Sequence, residues 1–132
     1  MIHLSLTNIN MYKIIIAFSL LLTACQHSQK PILQLSTYCY NFYELQKNKN
    51  YLGNVMINNT GNDTLKIFQI GTSCGCTDAS ITQKLLQPQD SCTLNFTYNT
   101  QNKQGIQEEY ISIYTNTDSL VHLLKIKAFV SE

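Results

Sequence analysis

Strict alternation of apolar and polar side chains, broken at short intervals by Asn, Gly, Pro and Asp, most limits what this chain can become. Cys92, Leu94, Phe96 and Tyr98 alternate with Thr93, Asn95 and Thr97. Leu124, Ile126, Ala128 and Val130 alternate with Lys125, Lys127 and Phe129. Successive side chains of a strand point to opposite faces, so this pattern sets one face against a core and leaves the other in water. The same reading gives a first strand over 38–45, aromatic and β-prone, and a second over 51–58 with Tyr51, Gly53, Val55 and Ile57 on one face. Asn59-Thr60-Gly61-Asn62-Asp63 then turns the chain into a return strand with Leu65 and Ile67 inward, which predicts a hairpin. Residues 78–84 read as a short edge strand, and 106–115 as a strand with Ile111 and Ile113 inward. Six or seven strands and no helical period predict an all-β fold, an immunoglobulin-like β-sandwich of about seven strands over 38–132.

The first 24 residues carry a different signal. Ile14 to Leu22 is an apolar run behind Lys13. It is too short to span a bilayer, which takes roughly 20 residues, and suits the core of a signal peptide. Met11-Tyr12-Lys13 is a more natural start for such a leader than Met1. The run ends in Leu22-Thr23-Ala24-Cys25, which resembles the lipobox of bacterial lipoproteins. That resemblance implies cleavage before Cys25, acylation of its thiol and a lipid anchor in the membrane. Residues 25–37 would then be the lipidated cysteine and a polar tether, His27 included. Resemblance to other Gram-negative lipoproteins implies that Gln26, which is not Asp, permits transfer to the outer membrane, facing the periplasm.

Charge excludes one class of partner. Only 13% of residues are charged, the basic ones are all lysine, and they are scattered. Nucleic-acid binding needs clustered cations, so it is not expected.

The second cysteine signal is Ser73-Cys74-Gly75-Cys76-Thr77. Residues two apart on an extended strand have Cα atoms about 6.5–7 Å apart, at or beyond disulfide reach, so a Cys74–Cys76 bond requires a turn at Gly75. The structural role leads: the pair pins a crossing between sheets, by itself or through Cys39 and Cys92. Cys92 reads as inward and Cys39 as lying on the other parity, which argues against joining those two. A soft-metal site for copper or zinc is the second reading, unsupported by a nearby histidine or methionine cluster. Thiol redox chemistry is the third; it wants an electropositive thiol, and the adjacent sequence supplies no cation.

Other candidates are weaker. Glu108 and Glu109 are neighbours, so on a strand they face opposite ways and form no acid–base pair. His122 reads as an ordinary satisfied histidine. Asp63-Thr64-Leu65 and Asp118-Ser119-Leu120 resemble a bacterial O-glycosylation signal with Thr64 and Ser119 as acceptors, though both are also common turn chemistry.

Asn41-Phe42, Asn59-Thr60-Gly61 with Leu65, Ser73-Cys74-Gly75-Cys76-Thr77, Pro88, Gly105 and Thr115-Asn116 together resemble domain of unknown function 1573, immunoglobulin-like domains frequent in bacterial lipoproteins. The resemblance covers about 38–130. Where that family usually has Phe-Gly and Pro-Gly, this chain has Phe42-Tyr43 and Pro88-Gln89. The resemblance implies a shape and an address, not an activity. With no nucleophile–base pair and no phosphate-binding loop, the chain reads as a non-enzymatic envelope module binding other envelope proteins.

Overall fold

The computed structural model describes residues 28–132. The leader, Cys25 and His27 lie outside the described residues. Nine strands follow in chain order: β1 (Leu33–Leu35), β2 (Cys39–Gln46), β3 (Asn50–Asn59), β4 (Leu65–Thr72), β5 (Thr77–Ile81), β6 (Leu85–Leu86), β7 (Ser91–Asn99), β8 (Gly105–Thr115) and β9 (Val121–Ser131). They form two sheets, ordered β1-β3-β7-β5 and β2-β9-β8-β4-β6. The expected sandwich is therefore present; the strands beyond seven are the shortest, β1 and β6.

Alternation builds the core as the sequence implies. Val55 and Ile57 of β3 and Cys92, Leu94 and Phe96 of β7 face Ile111 and Ile113 of β8 and Leu124 and Ile126 of β9 across the sheets. A smaller cluster of Leu45, Tyr98, Ala128 and Val130 closes one end, with Phe42, Tyr51 and Cys76 packed against it. Phe42 stacks on Tyr98 and meets Phe96 edge-on, with centroids 6.0 Å apart in both pairs.

Two expectations are corrected. β3 and β4 do not form a hairpin: β3 pairs with β1 and β7, whereas β4 pairs with β8 and β6. Alternation fixes which face of a strand is inward, and two strands of opposite sheets share that property with two neighbours in one sheet. The 59–63 turn carries the chain across the sandwich, and the buried Asn59 side chain holds it. Its Nδ2 donates to the Asp63 and Leu86 carbonyls (2.7 and 2.9 Å), and its Oδ1 accepts from the Gly61 and Ile32 amides (3.0 and 3.3 Å). The second correction concerns the tether. Leu33 and Leu35 are buried and β1 pairs antiparallel with β3, so the fold begins inside the stretch expected to be linker.

The two positions where the resembled family usually has glycine adopt a left-handed backbone. Tyr43 has φ 60° and Gln89 φ 71°. Tyr43 lies at the irregularity between Asn41 and Glu44 in the β2–β9 pairing, and its amide is held by Asn41 Oδ1 at 2.8 Å.

Candidate functional site

The Cys-Gly-Cys segment connects β4 of one sheet to β5 of the other. The chain turns sharply here: Thr77 N–H donates to the Cys74 carbonyl (3.2 Å), and the Cys74 and Cys76 Cα atoms are 5.1 Å apart. The two sulfurs are bonded to each other. That closure depends on Gly75 breaking the extended spacing, since a straight strand would hold the cysteines too far apart. A Cβ on Gly75 would meet no heavy atom within 4 Å, so this side of the turn is open.

Backbone bonds hold the turn on both flanks. Ser73 N–H donates to the Tyr110 carbonyl (2.9 Å) and Asn99 N–H to the Cys76 carbonyl (2.8 Å). Ser73 Oγ donates to Glu109 Oε2 (2.9 Å) and accepts from the Tyr110 amide (2.8 Å). The ladder between β4 and β8 thus continues past Thr72 and sets Glu109 beside the cysteines.

Lys103, in the β7–β8 loop, completes the cluster. Its Nζ is 2.9 Å from Glu109 Oε1, in an ion pair whose side chains are only 20% and 15% exposed. The same Nζ lies 3.6 Å from Cys74 Sγ, and the Cys76 amide donates to Cys74 Sγ at 3.0 Å. Cys76 Sγ instead faces Glu109 Oε1 at 3.9 Å. Donors thus converge on one sulfur and a carboxylate on the other. Beneath them Tyr98 is fully buried, and its hydroxyl has no hydrogen-bond partner among the described residues. Burial first, and the Glu109 charge second, push its pKa up.

The sulfurs and a Glu109 oxygen lie within 4.8 Å of one another. A copper or zinc reading would need both thiolates open, and in the bonded state neither sulfur offers one.

The remaining candidates are dispersed. Cys39 is an exposed free thiol on β2, in register with Lys125. Cys92 is free and buried, opposite Ile57 on β3, and burial raises its pKa. Glu108, on the other face of β8 from Glu109, bridges Lys125 and Lys127 at 3.2 Å each. His122 Nε2 pairs with Thr117 Oγ1 at 2.7 Å. Thr64 is half-buried with its hydroxyl on Gln87 Oε1 (3.1 Å), while Ser119 is exposed. Sequence reading missed Lys103 and the partnership of Glu109 with the cysteines. Parity puts Glu109 on the same face as Ile111 and Ile113, but no sequence signal ties it to the cysteines.

A second feature adjoins the turn. Past Ile67, β4 pairs only with β8, and β5 pairs only with β7, among the described residues. Between these open edges runs a groove of about 350 Å³ lined by Ile67, Phe68, Ile70, Ala79, Ile81 and Lys84, among others.

Residues 33–130 match the family model described as a protein of unknown function (DUF1573). No curated protein matches the sequence. Among solved structures, a protein of unknown function from Porphyromonas gingivalis W83 is similar, with TM-score 0.70 and 20% identity, over 80% of this chain and 50% of that one. The chain thus spans half the length of that protein. The ASH/PapD-like domain 7 of human CEP192 aligns with TM-score 0.62 and 9% identity, over 83% of this chain and 92% of that domain. The YadV chaperone aligns with TM-score 0.55 and 17% identity, over 76% of this chain and 52% of that one. At these identities the likeness shows the fold: a sandwich of the immunoglobulin-like or PapD-like kind.

Proposed function

This chain belongs to the DUF1573 family of unknown function, and from that premise we propose that it is a lipid-anchored, non-catalytic binding module of a Gram-negative cell envelope. Acylated Cys25 would hold it on a membrane, in our reading the outer membrane facing the periplasm. Each buried CH₂ contributes about 0.8 kcal/mol, so several acyl chains make such an anchor persistent. The partner is an extended segment of another envelope protein, taken along the open side of the sandwich between β4 and β5.

The single observation behind this reading is that groove with its unpaired strand edges. An extended peptide satisfies free main-chain groups along a sheet edge while alternate side chains enter pockets beside it. Phe68, 59% exposed, stands at the groove with Ile70 and Ile81, so apolar area is available to reward docking. The anchor keeps the module close to envelope partners and raises its effective concentration for them.

Site-specific photo-cross-linking in intact envelopes tests the proposal. Probes at Phe68 and Ser80 should capture one discrete protein adduct that Leu52, exposed on the outer face of β3, does not. Equal capture at all three positions, or none at the groove, would refute it.

A further inference from the structure

The disulfide is poorly explained as a structural staple. Closing so short a loop constrains the unfolded chain least. The turn is also held without it, by the Thr77–Cys74, Ser73–Tyr110 and Asn99–Cys76 backbone bonds. What surrounds the sulfurs is better suited to an ion. An amide at 3.0 Å and a half-buried ammonium at 3.6 Å converge on Cys74 Sγ, where a bonded sulfur is only a weak acceptor. The carboxylate at 3.9 Å lies instead by Cys76 Sγ.

We propose that Cys74 and Cys76 form a thiol–disulfide exchange site that oxidises a dithiol of a protein partner, with Cys74 as the sulfur that carries the negative charge. The partner reaches the bond across the open face at Gly75. Its first thiolate attacks Cys76 Sγ. The Cys74–Cys76 bond breaks, and its electron pair goes to Cys74 Sγ, stabilised by Lys103 and the Cys76 amide. The lower-pKa sulfur is the better leaving group, which fixes this order. A mixed disulfide remains on Cys76. The partner's second thiol gives its proton to solvent and attacks its own sulfur in that bond. Cys76 leaves as a thiolate and takes up a proton from solvent. The partner has lost two electrons and two protons, in net one proton to solvent and one to Cys76. Its thiols are now a disulfide, and the site holds two reduced cysteines. One disulfide oxidises one dithiol, a stoichiometric exchange rather than a turnover, so the chemistry needs no occupant in the β4–β5 groove and stands apart from the edge-binding proposal.

The test uses dithiothreitol as the dithiol and iodoacetamide as a thiol probe. The oxidised protein should be reduced by dithiothreitol while remaining folded by circular dichroism. Lys103→Met should slow that reduction by about three- to tenfold, and Lys103→Arg should restore it. At neutral pH, Cys74 in a Cys76→Ser variant should be alkylated faster than Cys76 in a Cys74→Ser variant by a similar factor. Lys103→Met should remove that difference. The single-cysteine comparison keeps Lys103 in place and decides the matter even if Lys103→Met does not fold. A bond reduced only on unfolding, a Cys76 that reacts as fast as Cys74, or rates indifferent to residue 103 would overturn the proposal.

Discussion

Asn59→Asp exchanges one atom at the point where the chain crosses from one sheet to the other. The native side chain is 1% exposed, and both of its N–H donors and its oxygen are used. The substitution keeps an acceptor for Gly61 and Ile32 but sets a carboxyl oxygen against the Asp63 and Leu86 carbonyls. Two acceptors, one part-buried and one buried, lose their donor, at about 1–3 kcal/mol each. An ionised carboxylate here would cost more still, so the introduced group titrates upward, above about 3.9. The expected loss is about 3 kcal/mol at neutral pH, or roughly 12–24 °C in Tm for a domain of this size. The sign with pH follows from linkage. The folded state binds the proton more tightly than the unfolded one, so the variant's deficit is smallest near pH 4 and grows as pH rises through the raised pKa. Thermal unfolding of wild type and variant, followed by circular dichroism across that range, measures both quantities. A loss below about 1 kcal/mol, or a deficit independent of pH, would show that Asn59 does not hold the crossing.

Burial lowers the pKa of His122 below the ordinary histidine value of 6.5. The unfolded chain therefore takes up the proton first, and stability falls as pH drops from about 6.5 toward the folded value; in His122→Gln that part of the Tm–pH curve should flatten. Tyr43→Gly and Gln89→Gly relieve left-handed backbone that costs a non-glycine residue roughly 1–2 kcal/mol, offset by about 0.5–1 for added chain freedom. Urea titration should give each a small gain, and a loss would contradict the strain argument. Gly53→Ala places a methyl within 2.5 Å of Phe96 Cε2 in the core, and overpacking of this kind typically costs about 1–3 kcal/mol by the same titration. Intact mass of protein extracted from native membranes should exceed the Cys25–Glu132 chain by the acyl groups at Cys25; a further hexose-sized increment would assign a glycan at Ser119, the exposed acceptor.

Faces were legible in the sequence, and neighbours were not. Alternation named Leu94, Phe96, Ile111, Ile113, Leu124 and Ile126 as inward, and each is buried. The same pattern could not say that Ile57 and Leu65 belong to opposite sheets, because a period of two is blind to which sheet a strand joins. β1 was hidden for another reason: Leu33-Gln34-Leu35 is too short to stand out beside a polar stretch. At the cysteine turn, local sequence carried the need for a bend at Gly75. The charges around the sulfurs were invisible because they arrive through pairing. Glu109 comes from the β4–β8 ladder, and Lys103 from a loop far along the chain.

β9 lies between β2 and β8, parallel to the one and antiparallel to the other. Its inward row of Leu124, Ile126, Ala128 and Val130 floors both hydrophobic clusters. A chain that appears amino-end first would therefore hold β2 without a sheet neighbour until this late stretch follows. Such ordering favours slow folding governed by distant contacts, and it leaves the β2 edge open until the last strand is in place.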